Sequence, residues 1–436
     1  MKMILLSLFV LVTLNPIMIP AADLTNSAAD SLSTSPRADT AVIAGADSAA
    51  QSNFIYPMPP ERMAKLIAYS RFNNLWRFLD FFISVVILLI IIYGGLSARL
   101  RNWASKISSK NFFVYFFYFI FFMIVMYGLN FPFDYYRNFA IEHQYGFSNQ
   151  TFGAWFGESL KSLGVGFVFG FILFLILYWL INRFRKWWLA FAIGSIPFMV
   201  LVIIIVPVII TPLFNKFEPI KNKELGAEMT ALAGKAGIYN PDIYEVDASK
   251  QSSKVNAYFT GMFGTKRIVL YDTAIKNFTV NELKFIMGHE IGHYVMHHIW
   301  YGLFLGVVFI FIVFYLADKF LPPMIERRKN RIGFSRLGDI AGLPLLLLFV
   351  TVFSFIFQPI QNTASRYFEN QSDRFGMQLS GVTGDEAATA FDKLSVFNLS
   401  DPEPSALIEF WFYTHPALKK RMDNVRKLYN ELHPGV

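Results

Sequence analysis

The sequence predicts a mainly helical protein that crosses a membrane several times and carries a small α+β insert between two of its spans. Of its 436 residues, 54% are hydrophobic and only 16% are charged, a composition too apolar for an ordinary soluble protein of this size. Windows of about 20 apolar residues are long enough to cross the hydrocarbon core of a bilayer. Six such windows lie at 80–98, 112–131, 163–182, 189–211, 299–317 and 341–360.

The N-terminus is typical of a secretory signal. Lys2 precedes the apolar run MILLSLFVLVTL, and the small residues Ala21 and Ala22 follow it. Pro16 and Pro20 would interrupt a spanning helix, so we predict a signal peptide over 1–22. The next stretch is rich in Ala, Ser, Thr and Asp, and it has too few large apolar side chains to fold alone. We therefore predict a disordered linker over 23–55.

The rest of the chain divides at the apolar windows. The predicted divisions are N-terminal transmembrane helices at 56–212, the insert at 213–298, spans five and six at 299–361, and a C-terminal region at 362–436. Within the insert, NKELGAEMTALAGKAG predicts an amphipathic helix, and DIYEVD, NAYFTG and RIVLYDT predict short strands. Thr279 and Glu282 form a capping-box pattern, which predicts the start of a helix that runs through MGHEIGHYVMHH at 287–298.

Basic residues are concentrated in alternating loops, and this bias predicts the orientation in the membrane. The opposing short loop at 132–160 holds only Arg137. By the positive-inside rule the basic loops are cytoplasmic, and the N-terminus, the insert and the C-terminus lie on the far side. The net charge of +8 is then explained by topology, and no nucleic-acid partner is expected. The basic residues counted are Arg99, Arg101, Lys106, Lys110, Arg183, Arg185, Lys186, Lys319, Arg327, Arg328, Lys329, Arg331 and Arg336.

The motif MGHEIGHYVMHH has the residue types and spacing of a metal site. The chain has no cysteine, so a metal would be held by nitrogen and oxygen atoms. His289 and His293 are four residues apart and project from one helical face, where they could bind one Zn²⁺ per chain. Glu290 lies beside them and could take a proton from a water molecule that the ion activates. His297 is about 12 Å along the helix from His289, too far to share the ion, and we interpret His297 and His298 as an interfacial helix end.

A third ligand has to come from elsewhere in the chain. In SRYFENQSDRFG, at 365–376, Glu369 and Asp373 are four residues apart on one helical face. The pair suits one metal ligand and one carboxylate that hydrogen-bonds a ligating histidine. The alternative is a solvated face in which Asp373 is paired with Arg366 or Arg374.

Over about 130–436, the chain resembles the integral-membrane zinc metalloproteases of the type I CAAX prenyl endopeptidase family. Six segments carry the resemblance, and together they extend well beyond the HExxH spacing. They are IEHQYGFSNQT, PVIITPLFNKFEPI, SKVNAYFTGMFGTKRIVLYDT, HEIGHYVMHH, SRYFENQSDRFG and YTHPALKKRM.

The resemblance implies a barrel of helical spans around a large water-filled chamber, with the zinc on its inner wall. It also implies that Glu369 is the third ligand, that Asp373 supports the site and that His415 lies near the reacting carbonyl. The strand segment Asn256, Ala257 and Tyr258 would pair with an extended substrate. On the residues alone, His415 could instead cap the helix predicted over PALKKRMDNVRKLYNEL.

The leading functional prediction is a membrane-embedded zinc metalloendopeptidase that acts on membrane-associated or lipidated proteins. One alternative is a CAAX prenyl protease that removes the C-terminal tripeptide from prenylated proteins, which requires the catalytic side to be cytoplasmic, as in eukaryotic members. A transporter or channel would need repeat-related spans, which the sequence does not show. An inactive binding scaffold would be expected to lose Glu290 or a metal ligand, and all of them are present.

Overall fold

The protein is described by a computed structural model that covers residues 59–261 and 266–435. The predicted signal peptide at 1–22 and linker at 23–55 lie outside these residues. Within the described ranges, six helices are long and apolar enough to cross a membrane, in agreement with the six predicted windows. These helices are α1 (Pro60–Tyr93), α3 (Asn111–Tyr135), α4 (Phe152–Arg183), α5 (Trp187–Ile205), α9 (His298–Ile332) and α10 (Leu343–Ser380).

Several helix ends differ from the apolar windows. The first window was predicted to reach residue 98, but α1 ends at Tyr93 because Gly95 adopts a left-handed backbone with φ of 66°. A separate helix, α2 (Leu96–Ile107), follows this turn. α9 continues past its window to Ile332, and α10 continues across the predicted division at 361/362 to Ser380. The sixth span and the segment with Glu369 are therefore one helix. Single π-helical turns extend α3 over Tyr136–Ile141 and α5 over Val206–Ile210.

Aromatic side chains fill the contacts between the early spans. Phe119 of α3 has its ring centroid 5.1 Å from that of Phe174 on α4, and Phe122 is fully buried in the same cluster. Polar groups in this region are paired: the Tyr118 and Ser97 hydroxyls lie 2.9 Å apart, and Ser97 donates to the Ala341 carbonyl at 2.7 Å. Lipid tails are as apolar as these side chains, so the hydrophobic effect does little to bring helices together in a membrane. Close packing and hydrogen bonds between helices are expected instead.

The connections between the spans gather at two opposite ends. At one end Arg101 forms an ion pair with Asp339, and the Asn182 side chain donates to the Gly338 carbonyl at 3.0 Å. These contacts join the turns that follow α1, α4 and α9, so we name this group of turns the basic end. At the other end Ser148 pairs with Ser252, which attaches the turn before α4 to the insert. We name that second end the catalytic end.

The insert contains a four-stranded sheet in the order β1-β2-β4-β3. The three predicted strands are present, and the structure adds the short strand β1. β2 and β4 are parallel, the other pairs are antiparallel, and β3 lies at one edge. The bounds are β1 Phe217–Pro219, α6 Lys223–Lys235, β2 Asp242–Val246, β3 Ala257–Thr260, β4 Arg267–Tyr271 and α7 Asp272–Asn277.

Helix α8 (Val280–Val295) carries the two candidate histidine ligands. It begins with the predicted capping box, in which Thr279 accepts from the Glu282 amide and the Glu282 carboxylate accepts from the Thr279 amide. The prediction that this helix runs to His298 is wrong, because His297 adopts a left-handed conformation with φ of 62° and α9 starts immediately after it. The chain closes with α11 (Gly384–Asn398), α12 (Ala406–Phe412) and α13 (Leu418–Leu432).

Glycines bring α8 and α10 into backbone contact. A Cβ atom added at Gly376 would lie 2.9 Å from the backbone nitrogen of His289, and one added at Gly288 would lie 3.2 Å from the Cα of Gly376. Any side chain at Gly376 would push the two helices apart. The close approach places ligands from α8 and α10 within reach of one ion.

Candidate metal centre

Three side chains meet where α8 crosses α10. The Nε2 atoms of His289 and His293 are 3.1 Å apart. They lie 3.3 Å and 3.2 Å from the two carboxylate oxygens of Glu369. The structure thus brings the three predicted ligands together. Among the residues that the structure describes, these side chains are the group that could hold a metal ion.

The donor set fits zinc. Ligand atoms about 2.0–2.1 Å from a tetrahedral zinc ion stand roughly 3.3 Å from one another, close to the separations seen here. Glu369 is only 2% exposed, and its Oε2 atom accepts no hydrogen bond, although Arg421 Nη2 and His289 Nε2 each lie 3.3 Å away. A buried carboxylate is costly unless its charge is compensated, and a bound cation would add to that compensation.

Asp373 supports the first histidine. The Nδ1 atom of His289 lies 2.8 Å from Asp373 Oδ1, which leaves Nε2 for the metal. Burial disfavours charge on the imidazole, but Glu369 and Asp373 outweigh burial and raise the pKa of His289 to about 10. Metal binding at Nε2 would therefore release a proton.

Asp373 is paired with Arg421, and the predicted alternative partners Arg366 and Arg374 do not bind it. Arg421 donates from Nε to Oδ2 at 2.9 Å and from Nη2 to Oδ1 at 2.6 Å, a two-pronged contact. Both side chains are 2% exposed, and Nη2 of Arg421 also lies 3.3 Å from Oε2 of Glu369, so the buried guanidinium is held by two carboxylates.

The sequence analysis missed Arg421, although a signal was present. On α13 the buried residues Leu418, Arg421, Met422 and Val425 follow the spacing of one helical face. An arginine on the apolar face of an amphipathic helix needs a buried carboxylate, and this requirement would have pointed to a partner such as Asp373.

His415 also lies in the centre. Its Nε2 is 3.3 Å from Glu369 Oε1, and its Nδ1 is 2.8 Å from the Thr414 hydroxyl. The alternative prediction that His415 caps the last helix is wrong, because the N-cap of α13 is Ala417 and no side chain caps this helix.

Two arginines hold the segment that precedes His415. Arg77 of α1 donates to the Phe412 carbonyl at 2.8 Å, and Arg366 of α10 donates to the Tyr413 carbonyl at 2.7 Å. The first and last spans thereby fix the approach of His415 to the cluster.

Glu290 is buried next to the ligands. Burial raises the pKa of its carboxyl, and the imidazoles of His289 and His293 partly oppose the shift. The side chain borders a small cavity that Asn256 and Ala257 also line. A carboxyl with a raised pKa beside a metal site is suited to accept and return a proton.

The predicted substrate strand lies beside this cavity. The Asn256 side chain accepts from the Ala257 amide at 2.8 Å, and its backbone carbonyl accepts from the Tyr271 amide at 3.0 Å. Tyr258 does not line the cavity, because its ring packs on the opposite side of β3 against a separate apolar cluster. That cluster contains Val246, Ala248 and Val269.

The two histidines after α8 have different environments. His297 is exposed, as an interfacial helix end would be. The same interpretation is wrong for His298, which is 6% exposed and lies 3.0 Å from His293 through their Nδ1 atoms. The left-handed conformation of His297 changes the direction of the chain. As a result the side chain of His298, the first residue of α9, faces the metal centre.

Six spanning helices, a small sheet and a buried His-His-Glu cluster beside a carboxyl define a membrane-embedded metalloprotease. Residues 219–429 match the model of peptidase family M48, and residues 50–216 match the family described as CAAX prenyl protease N-terminal, five membrane helices. The chain belongs to peptidase family M48.

Individual relatives agree with this assignment. The chain is 32% identical over 374 residues to the uncharacterized metalloprotease YhfN of Bacillus subtilis. The aligned residues make up 86% of this chain and 87% of that protein. It is 31% identical to the CAAX prenyl protease 1 homolog of Dictyostelium discoideum, over 68% of this chain and 69% of that one.

A solved structure has the same fold. The crystal structure of S. mikatae Ste24p matches with a TM-score of 0.74 and 26% identity, over 84% of this chain and 89% of that one. The predicted resemblance and the predicted helical membrane barrel with a small α+β insert are confirmed. The prediction of a membrane metalloprotease is confirmed over the transporter alternative.

Proposed function

We propose that the protein is a zinc metalloendopeptidase that hydrolyses peptide bonds in lipidated or membrane-tethered proteins. His289, His293 and Glu369 would hold one Zn²⁺ per chain. The observation that carries the proposal is the mutual separation of their donor atoms, 3.1–3.3 Å, at a site where the Glu369 carboxylate is 2% exposed.

The side chains around the cluster divide the chemistry among them. When bound, zinc would polarise the scissile carbonyl and acidify the attacking water. Glu290 accepts the proton that this water loses and then gives it to the amine nitrogen as the peptide bond breaks. His415 donates from Nε2 to the carbonyl oxygen as negative charge develops there, and the Thr414 hydroxyl donates to Nδ1 to favour that tautomer.

The substrate would bind in an extended form along β3. β3 lies at the edge of the described sheet, and Asn256 and Ala257 share a cavity with Glu290. An edge strand can pair with an extended peptide through backbone hydrogen bonds. A lipidated substrate is favoured because the site belongs to a chain with six membrane-spanning candidates and because relatives are named CAAX prenyl proteases.

We place the catalytic end on the extracytoplasmic side. Arg99, Arg101 and Arg336 all lie at the basic end, and the positive-inside rule assigns such loops to the cytoplasm. The predicted signal peptide favours the same orientation.

Processing of CAAX termini is the second candidate. It is favoured by the names of several relatives, including CAAX prenyl protease 1 of Saccharomyces cerevisiae, which is 28% identical. Cytosolic prenylated termini could reach the site only if the catalytic end were cytoplasmic.

Metal analysis of purified protein tests the zinc site. The wild type should contain one zinc per chain, lose peptidase activity to a chelator and regain it with added zinc. Glu369→Ala should lose most of the metal. Full metal retention in this variant would remove Glu369 from the ligand set.

Topology reporters test the orientation. Fusions within 220–250 should report an extracytoplasmic location, and fusions in the turn after α9 should report a cytoplasmic one. A cytoplasmic signal from 220–250 would overturn the orientation and favour CAAX processing. Cleavage of a farnesylated peptide should then be compared with cleavage of the same peptide without the lipid.

A further inference from the structure

His298 makes a contact that the catalytic mechanism does not use. It is buried at the start of α9, and its Nδ1 atom lies 3.0 Å from the Nδ1 atom of His293. Its Nε2 atom lies 3.1 Å from Oε1 of Gln371. Its ring stacks on Phe368 with the centroids 4.6 Å apart. Both Phe368 and Gln371 are on α10 within two residues of Glu369.

The protonation of these rings follows from the direction in which His293 points. Its Nε2 faces His289 and Glu369, so a metal-bound, neutral His293 carries its hydrogen on Nδ1. That N–H has to donate, and Nδ1 of His298 lies within hydrogen-bond distance. His298 therefore accepts at Nδ1 and carries its own hydrogen on Nε2, where Gln371 Oε1 accepts it.

We propose that His298 is the positioning residue of the second histidine ligand, and that Gln371 holds His298 in the tautomer that accepts from His293. This inference rests on the proposed zinc site. The two ligating histidines are then supported in different ways. His289 donates to a carboxylate that is itself paired with Arg421, whereas His293 donates to a neutral imidazole and, through it, to an amide.

The arrangement explains the left-handed turn at His297. A continuous helix would carry His298 away from the face that holds His289 and His293. The turn changes the direction in which the His298 side chain points. His298, which begins the fifth span, therefore faces the metal centre. The membrane helix α9 is thereby connected to a zinc ligand through one hydrogen bond.

Zinc affinity, measured by competition with a chromogenic chelator, tests the proposal without any peptidase assay. His298→Phe keeps the ring and its stacking on Phe368 but removes the acceptor, and it should weaken zinc binding about 10- to 100-fold. His298→Asn should restore affinity to within about threefold of the wild type, because its side-chain oxygen can replace Nδ1 as the acceptor. His297→Asn is the matched control, since Asn tolerates a left-handed backbone, and it should bind zinc like the wild type.

A second pair of variants covers the case in which His298→Phe does not fold. Gln371→Leu removes the acceptor for the Nε2 hydrogen of His298 and should weaken zinc binding about tenfold, whereas Gln371→Glu keeps an acceptor and should not. The folded state of each metal-free protein is checked by its melting temperature.

The outcomes separate this inference from the zinc proposal. Wild-type affinity in both His298→Phe and Gln371→Leu would overturn the positioning role. Weak zinc binding by His298→Asn, with wild-type affinity in His298→Phe, would show that the ring matters and the acceptor does not, which also overturns it. Retention of zinc by His293→Ala would instead show that the proposed ligand set is wrong.

Discussion

The metal centre and the aromatic contact between α3 and α4 are both buried, but they are held together by different interactions. At the centre polar side chains are held by particular partners, as in the contact of His289 with Asp373 at 2.8 Å. Between the spans, Phe119 and Phe174 meet through unspecific ring contacts. Dispersion contacts are many and individually weak, so one can replace another, whereas a lost buried hydrogen bond leaves an unsatisfied group. Substitutions in the first region should therefore alter the chemistry, and those in the second should alter only stability.

The largest effect on turnover is expected at Glu290. Glu290→Gln removes the proton acceptor but keeps the shape of the side chain, and kcat should fall about 100- to 10,000-fold. Zinc content and melting temperature should stay at wild-type values, because Glu290 is not among the proposed ligands. A kcat near that of the wild type with a fluorogenic peptide would remove Glu290 from the proton transfer.

His415 is expected to have the next largest effect. His415→Ala removes a donor to the carbonyl oxygen, which typically costs about 100- to 1000-fold in turnover. Zinc content, measured on the same preparation, should not change. A lower melting temperature with an unchanged rate per folded molecule would show that His415 is structural.

Asp373 links the chemistry to the stability of the centre. Asp373→Asn weakens the support of His289 and should reduce zinc affinity about 10- to 100-fold. It also takes from buried Arg421 its two-pronged carboxylate partner and leaves only Glu369 Oε2, 3.3 Å from Nη2, so the loss of stability should reach at most about 3–5 kcal/mol. Chelator competition and thermal unfolding measure the two effects separately.

A double variant distinguishes the two roles of Asp373. Adding Arg421→Met to Asp373→Asn removes the buried cation that has lost its two-pronged partner and should recover most of the melting temperature, while zinc affinity stays low. Recovery of both properties together would show that Asp373 acts only by neutralising Arg421.

The smallest effect on turnover is expected in the aromatic contact. Phe122 is fully buried among the early spans. In soluble cores, Phe→Ala costs about 3–5 kcal/mol, and Phe122→Ala should lower the melting temperature in detergent. The rate per folded molecule and the zinc content should remain those of the wild type. A changed kcat would show that the spans transmit packing changes to the centre, and the contrast between the two regions would fail.

Local patterns in the sequence were sufficient for much of the fold and for the main ligands. Six apolar windows predicted six spanning helices, since length and composition alone decide whether a helix can cross a bilayer. The spacing of His289 and His293 placed both rings on one face, and the capping box at Thr279 marked the start of α8. These features depend on residues within a few positions of each other. Glu369 was assigned from its motif and its family resemblance, and its distance from the histidines came from the structure.

The tertiary structure decided the partners of the buried polar groups. Arg421 pairs with Asp373 across 48 positions, and Gly376 permits the backbone contact with His289. His298 returns to His293 only because His297 turns the chain with a positive φ. Helical periodicity describes which face a residue occupies, but it does not say which other element will cover that face. A buried charge or imidazole needs a partner, and the identity of that partner depends on how distant segments pack.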